Sequence, residues 1–290
     1  MTYLLGIDAG GTKSRARVVD AAGNVLGEAR GGPGNARVGL QALMGSLMHV
    51  ASKAFANAGL EEQAFDETFA GIGIAGISRP GMQQSISAQS FPFARVSIDT
   101  DAAIANLGAH GGRDGAVLIL GTGSVGYIRT GNVIQTIGGY GFPISDEGSG
   151  AALGLSAMRH ALRALDGRTL PTPLSAAVTE QFNHKAEQAV AWMDNATPGD
   201  YARMAPMVLD YAEKGDEIAH NIVEDAVRHI ERFIETIFDK GADRCALAGG
   251  LAQRLQPWLR ARTAARLTPV LGDPLDGALI LAGSGDGSAG

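Results

Sequence analysis

The sequence predicts an α/β protein with two lobes, each a mixed sheet flanked by helices. An apolar run over residues 3–7 breaks into an acidic residue and a glycine pair, which is typical of a buried strand that ends in a tight turn. The pattern returns over residues 116–126, where an apolar run meets the sequence Gly-Thr-Gly-Ser. With 45% apolar residues, a chain of 290 is long enough to bury a core in each lobe.

The first lobe is predicted to cover residues 1–112. Alternating apolar residues on either side of a turn at residues 21–24 indicate two antiparallel strands after the first one. Apolar residues at helical spacing then predict a helix that is closed by Gly59. The predicted order is βββαβαβ, with strands over residues 3–7, 14–20, 25–29, 69–77 and 96–98 and helices over residues 40–55 and 82–89.

The second lobe, residues 113–273, is predicted to repeat this plan with a helical insertion over residues 175–240. A final helix, residues 274–283, is expected to complete the first lobe. Residues 284–290 are rich in glycine and serine and predict a flexible tail. A cleft between the lobes is the expected ligand site. The remaining predicted elements are strands over residues 117–120, 125–129, 133–137 and 244–248 and helices over residues 149–165 and 251–265.

Two of the glycine-containing turns have the composition of phosphate-binding loops, because glycine lets main-chain N–H groups approach an anion without a side chain in the way. Asp8, at the mouth of the first turn, is placed to hold a hydrated Mg²⁺, an ion that prefers one or two carboxylates together with phosphate oxygens. A third glycine pair suits the close approach of a base or ribose. The candidate nucleotide ligands are Asp8, Gly10, Gly11, Thr12, Lys13, Gly121, Thr122, Gly123, Ser124, Gly249 and Gly250.

Several other functions are disfavoured by the sequence. Residues 71–76 and 121–126 match the dinucleotide-binding pattern, but no helix is predicted to begin after either of them. The formal net charge of −6 disfavours nucleic acid or an anionic membrane as a partner. Cys245 is the single cysteine, which is typical of the reducing cytoplasm. We expect neither a signal peptide nor a membrane span, since no long apolar segment is present.

The three glycine-containing segments, in this order, resemble the phosphate-1, phosphate-2 and adenosine motifs of the sugar kinase, Hsp70 and actin superfamily. Residues 100–102 (Thr-Asp-Ala), 138–141 (Gly-Gly-Tyr-Gly) and 142–150 are similar to the amino-sugar kinases of its BadF-type branch. The resemblance implies a two-lobed ribonuclease H-like (actin-like ATPase) fold. It also implies a homodimer that uses ATP and Mg²⁺ to phosphorylate a small-molecule amino sugar at O6, either glucosamine or, as the alternative, N-acetylglucosamine.

The resemblance assigns roles to particular residues. Asp101 would deprotonate the 6-hydroxyl of the sugar; its alternative role is to cap a helix that starts at residue 102, and the two roles are compatible. Asp146 would accept hydrogen bonds from sugar hydroxyls, with capping of the next helix as the alternative. Lys13 is equally consistent with phosphate binding and with a solvated surface charge. Asn35 is equally consistent with sugar binding and with an ordinary turn role. The other candidate sugar-binding residues are Asn35, Gly138, Gly139 and Tyr140.

Two functions of other classes stay open. The BadF-type branch also contains ATPases that activate radical dehydratases through an iron–sulfur cluster bridging two subunits. Such a cluster needs suitably placed cysteines, and Cys245 alone, on a predicted buried strand, argues against it. The second alternative is a nucleotide-dependent sugar sensor without turnover, which the presence of Asp101 disfavours.

Overall fold

A computed structural model of the chain describes residues 2–11, 13–36 and 39–284, and they form two mixed sheets in two separate units. The first unit runs up to Gly115 and takes in the segment from Pro269 onwards; the second runs from Ala116 to Thr268. The predicted lobe boundary at residues 112 and 113 stays a prediction, and the predicted tail lies, after Ser284, outside the described residues.

The strands and the helices are each numbered in chain order. The strands are β1 Tyr3–Ala9, β2 Ser14–Val19, β3 Val25–Gly31, β4 Thr68–Ile74, β5 Arg95–Thr100, β6 Gly115–Leu120, β7 Ser124–Thr130, β8 Val133–Gly138 and β9 Cys245–Ala248. The helices are α1 Leu40–Asn57, α2 Met82–Ser87, α3 Asp101–His110, α4 Gly150–Leu165, α5 Pro173–Glu180, α6 Ala186–Met193, α7 Pro198–Ala202, α8 Ala205–Glu213, α9 Glu217–Asp239, α10 Ala252–Leu255, α11 Ala261–Ala264 and α12 Pro274–Gly283.

The first unit is built on a five-stranded sheet in the order β3-β2-β1-β4-β5. Strands β1, β4 and β5 run parallel, while β2 and β3 are antiparallel to their neighbours. Central residues such as Leu5 and Ile72 are fully buried, as expected for a sheet covered on both faces. The carboxyl ends of the three parallel strands share one edge of the sheet, so Asp8 near the end of β1 and Asp101 just after β5 lie at that edge.

Helix α12 packs against β1, β4 and α3, and glycine makes this packing possible. A Cβ atom on Gly277 would lie 1.8 Å from the carbonyl oxygen of Ile104 in α3, and one on Gly108 would lie 2.1 Å from that of Asp273. Gly71 of β4 meets the carbonyl oxygen of Ala278 in the same way, at 2.0 Å. The last helix of the chain is therefore an integral part of the first unit.

The second unit contains a four-stranded sheet in the order β8-β7-β6-β9, with β6 and β9 parallel. The second unit has the predicted fold class, a mixed sheet flanked by helices. Its sheet is narrower than a full repeat of the first sheet would be. Within the described residues, only a bridge between Cys245 and Leu267 stands where a fifth strand was expected. Pro269, two residues later, has no N–H with which to extend a ladder.

The segment predicted as a helical insertion contains helices α5 to α9. The prediction of one continuous helix over residues 251–265 is wrong. The segment breaks into α10, a short 3₁₀ turn at Gln256–Trp258 and α11, because Pro257 lacks the N–H that a continuing α-helix would need. None of the helices in the described ranges combines the length and the hydropathy of a bilayer-spanning segment.

Candidate active site

Asp8 lies near the end of β1 and is held by Arg15 from the neighbouring strand. The two residues are paired in the antiparallel register of β1 and β2. Arg15 donates from Nε and Nη2 to the same oxygen of Asp8, Oδ2, over 3.2 and 2.9 Å. Among the described residues, Oδ1 of Asp8 takes no hydrogen bond. The arginine therefore orients the carboxylate and leaves one oxygen for a ligand.

The same guanidinium also reaches the start of α12. Its Nη1 donates to Oδ2 of Asp273 over 2.9 Å, and Oδ1 of Asp273 accepts from the N–H groups of Leu275 and Asp276 as the N-cap of that helix. Burial by itself would raise the pKa of Asp273, but the N–H of Asp276 and the nearby Arg15 and Arg17 hold it below its usual range. Neither Arg15 nor Asp273 is among the residues predicted from the sequence, and the two are 258 positions apart.

Asp101 is the first residue of α3, directly after β5. The N-cap of α3 is Thr100, whose hydroxyl oxygen accepts from the N–H of Ala103 over 3.0 Å. The alternative in which Asp101 caps the helix is therefore wrong. Burial and the negative charge of Asp8 raise the pKa of Asp101, although the N–H of Ala102 donates to its Oδ1 and opposes the shift. A carboxylate with a raised pKa is a stronger base than an ordinary aspartate.

The first glycine turn is tied to the loop that carries Asn35. The N–H of Gly34 donates to the carbonyl of Gly10 over 3.1 Å, and the side-chain amide of Asn35 donates to the carbonyl of Gly11 over 3.1 Å. A Cβ atom on Gly11 would meet no atom within 4 Å, so packing within the chain does not require glycine there. Lys13 is exposed. Thr12, another predicted phosphate ligand, lies outside the described residues.

The Gly-Thr-Gly-Ser turn of the second unit rests on the start of α4. The N–H groups of Gly150 and Ala151 donate to the carbonyls of Gly121 and Thr122 over 2.8 and 3.1 Å. The side chain of Thr122 is exposed and thus accessible to a ligand. The hydroxyl of Ser124 instead is buried and donates to the carbonyl of Glu147 over 2.7 Å. This hydroxyl holds the turn in place, so the structure does not favour its predicted role as a phosphate donor.

Asp146 lies against the same turn. Its Oδ1 accepts from the N–H of Ser124 over 3.4 Å, and a Cβ atom on Gly123 would lie 2.9 Å from its Oδ2. Asp146 is buried and has a positive φ of 71°, a strained conformation that proteins tend to keep at functional positions. The alternative in which Asp146 caps α4 is wrong, because the N-cap is Ser149.

The remaining predicted residues of the second unit border this turn. Gly139 has a positive φ, and a Cβ atom there would lie 3.8 Å from the carbonyl oxygen of Ser124. A Cβ atom on Gly249 would lie 2.3 Å from the carbonyl oxygen of Leu120, immediately before the turn. Tyr140 is 84% exposed. The second unit therefore brings the predicted residues Gly121, Thr122, Gly123, Ser124, Asp146, Gly138, Gly139 and Gly249 together, with Gly250 and Tyr140 next to them in the chain.

Glycine turns at the ends of sheet strands, with acidic side chains beside them, are typical of proteins that bind a nucleotide. A scan of family models matches residues 5–266 to the BadF/BadG/BcrA/BcrD ATPase family. The chain belongs to this family, and its predicted use of ATP is confirmed.

Full-length relatives agree with this assignment. The chain is 37% identical to glucosamine kinase GspK of Vibrio cholerae over 98% of its own length and 96% of that protein. The structure of a candidate N-acetylglucosamine kinase from Chromobacterium violaceum superposes with a TM-score of 0.91 at 34% identity, covering 97% of this chain and 99% of that one. A ROK family glucokinase from Streptomyces griseus, solved with glucose and AMPPNP, shares the fold alone, with a TM-score of 0.53 at 19% identity over 97% of this chain and 98% of that one.

Proposed function

We propose that this protein is an ATP-dependent kinase that transfers a phosphoryl group to O6 of glucosamine. The observation that carries the proposal is the partly buried Asp101, which lies at the same sheet edge as Asp8 and has a raised pKa. The full-length similarity to a kinase named for glucosamine supports the choice of sugar. Phosphoryl transfer needs a positioned base and a site that neutralises moving charge, and the two carboxylates fit these needs.

Asp101 is the base in this proposal. The N–H of Ala102 holds its Oδ1, which leaves Oδ2 to take the proton of the 6-hydroxyl. The hydroxyl oxygen attacks the γ-phosphorus of ATP, and the bond from that phosphorus to the β–γ bridging oxygen breaks, so that ADP leaves. An aspartate with an ordinary pKa near 3.9 is a weak base. Burial and the charge of Asp8 raise the pKa of Asp101 and so bring it closer to the pKa of the hydroxyl that it deprotonates. The smaller difference in pKa makes proton transfer easier.

Asp8 is proposed to hold Mg²⁺ through water. The donor set fits that ion, because Mg²⁺ keeps much of its water shell and takes only one or two carboxylates, and Asp8 presents Oδ1 while Oδ2 is held by Arg15. When bound, Mg²⁺ neutralises charge on the β- and γ-phosphates. The main-chain N–H groups of Gly11, Thr122 and Gly123 and the hydroxyl of Thr122 are the proposed phosphate donors, because the N–H groups of Gly10 and Gly121 already donate to the carbonyls of Lys13 and Gly123. The Gly249 segment is proposed to lie beside the nucleoside.

The sugar ligands proposed are Asp146 and the main chain at residues 138–139, together with Asn35 and Tyr140. Asp146 has one oxygen directed at the N–H of Ser124, so a hydroxyl bound by Asp146 would be linked through it to the phosphate-binding turn. N-acetylglucosamine is the alternative substrate, because a relative of the same fold and similar identity is described by that activity. A homodimer stays a prediction.

The activator alternative is disfavoured by the surroundings of Cys245. The residue is fully buried in β9, and this burial raises the pKa of its thiol to about 12. A cluster ligand has to be a thiolate that the metal can reach. Cys245 meets neither condition, so its surroundings favour the kinase function over the activator function.

The decisive experiment is ADP release, measured by a coupled assay with MgATP and a panel of sugars. The panel contains glucosamine, N-acetylglucosamine, N-acetylmannosamine, glucose and a blank without sugar. We expect turnover to be selective for glucosamine and to fall by about 10²-fold or more in Asp101→Asn, with ADP binding retained. Asp99→Asn is the matched control, because Asp99 accepts from the N–H of Thr100 and an asparagine preserves that bond. Hydrolysis that does not depend on sugar would contradict the proposal.

A further inference from the structure

Arg15 joins the carboxylate of Asp8 to the first turn of α12. Three nitrogen atoms of its guanidinium are used, two on Oδ2 of Asp8 and one on Oδ2 of Asp273. The side chains of Arg15 and Asp8 are only 21% and 18% exposed. An ion pair that is largely shielded from water and has forked geometry orients its partners more firmly than a surface pair does.

The contact at Asp273 is rigid on its other side as well. Its Oδ1 accepts from two N–H groups of α12, at 2.9 Å from Leu275 and 3.0 Å from Asp276. The start of α12 therefore fixes the position of Arg15, and Arg15 in turn fixes the position of Asp8. A lysine at position 15 would supply the charge without the fork.

Helix α12 also contacts the helix that begins with Asp101. Gly277 lies so close to α3 that a Cβ atom there would be 1.8 Å from the carbonyl oxygen of Ile104, and Gly108 of α3 meets the carbonyl of Asp273 similarly. One helix thus supports both carboxylates at this edge, Asp101 through backbone packing and Asp8 through the Arg15–Asp273 pair.

We propose that Arg15 and Asp273 are positioning residues that hold Asp8 in the orientation required for binding the metal–nucleotide. The inference rests on the proposed kinase function, since it assigns Asp8 to the metal side of the site. Neither residue touches the reacting atoms. Their effect on metal–nucleotide binding is exerted through Asp8, in the way that outer-shell partners orient the ligands of metal sites.

Arg17 provides a matched control. It lies two residues further along β2, pairs with Glu28 and Asp276 over 2.5 Å each, and approaches Oδ1 of Asp273 at 3.5 Å. It makes no contact with Asp8. Arg17→Met therefore removes ion pairs between β2 and α12 that resemble those of Arg15 but leaves the pair between Arg15 and Asp8 in place.

The test compares Arg15→Met, Arg15→Lys, Asp273→Asn and Arg17→Met with the wild type. Calorimetry gives the affinity for ADP with Mg²⁺ and with EDTA, and the ratio of the two is the gain due to the metal. We expect this gain and kcat to fall by about 10-fold or more in both Arg15 variants, with an intermediate loss in Asp273→Asn. The KM for sugar should stay near the wild-type value. In Arg17→Met, thermal stability should fall while the metal-dependent gain does not.

Two results would overturn the proposal: a wild-type gain in both Arg15 variants, or a loss in Arg17→Met as large as theirs. Should Arg15→Met fail to fold, Arg15→Lys and Asp273→Asn still decide the question, because asparagine is as good an N-cap as aspartate. Absence of sugar phosphorylation by the wild type would refute the proposed function. The ADP measurement needs no sugar, so it distinguishes the two failures.

Discussion

Asp101 illustrates, at the scale of one residue, how a candidate catalytic group acts on stability. Its pKa is raised in the folded protein by burial and by the charge of Asp8, so the ionised form is disfavoured there relative to the unfolded chain. The unfolded chain loses this proton near pH 3.9, whereas the folded protein loses it at a higher pH. The free energy of unfolding therefore decreases as the pH rises through that interval, and the ionised carboxylate continues to destabilise the fold above it.

We accordingly predict that Asp101→Asn stabilises the protein at neutral pH while it removes activity. Urea unfolding should give a higher free energy of unfolding for the variant than for the wild type near neutral pH. The difference should shrink as the pH falls below the folded pKa. A variant that is less stable than the wild type by the same amount at all pH values would show that lost packing, and not charge, dominates at this position. The acid limb of kcat/KM should lie above the ordinary aspartate range for the same reason.

The residues of the site differ in how far sequence could predict them. Asp8 and the glycine turns were predicted because their signal is local, an apolar run that breaks into glycine. The contact of Arg15 with Asp273 could not be predicted. The alternation of β2 predicts a strand but does not identify a partner 258 positions away. For Asp146 the motif was visible, but its packing on Gly123 depends on a positive φ that no local pattern requires.

At the scale of elements, the packing of α12 on α3 is the most demanding contact of the first unit. We predict that Gly277→Ala lowers the free energy of unfolding by about 3 kcal/mol, because the new methyl group would overlap the carbonyl of Ile104 unless the two helices separate. The measurement is urea unfolding with one probe for secondary structure and one for tertiary structure. Since α3 carries Asp101, turnover should fall as well.

Gly45 is the matched control for this substitution. It lies in the exposed face of α1, and a Cβ atom there would meet no atom within 4 Å. Gly45→Ala should raise the free energy of unfolding by about 0.5–1 kcal/mol, because alanine is the better helix former. Equal effects of the two substitutions would contradict the packing described for α12.

Elements were predictable to the extent that their determinants are local. The first sheet follows strand by strand from alternation and turn residues. The continuous helix predicted over residues 251–265 is interrupted at Pro257. The apolar pattern of this segment favoured a helix, but a single proline is enough to end it. Among the described residues the second sheet has four strands, whereas a full repeat of the first lobe predicts five. The apparent repetition of the first half suggested a further strand, and the structure has one bridge there.

At the scale of the whole molecule, the two units differ in how their chain is arranged. The second unit is one continuous segment with its own core, which includes Leu118, Ile128, Val208 and Ile234. The first unit is discontinuous, because the segment from Pro269 onwards, with α12, returns to it. Leu275, Ala278 and Ala282 of α12 are buried there, so the first 115 residues alone would expose the faces of β1, β4 and α3 that this helix covers.

We therefore predict that a fragment of residues 116–268 unfolds cooperatively in urea, whereas a fragment of residues 2–115 does not. Joining residues 269–284 to residue 115 should restore cooperative unfolding. A linker of about eight residues suffices, because Gly115 and Leu271 hydrogen-bond to Asn106 and Ala109, about one helical turn apart on α3. Circular dichroism with urea measures all three. If residues 2–115 unfolded as cooperatively as the fusion, α12 would be an accessory to the first unit and could not be the support on which Asp8 and Asp101 both depend.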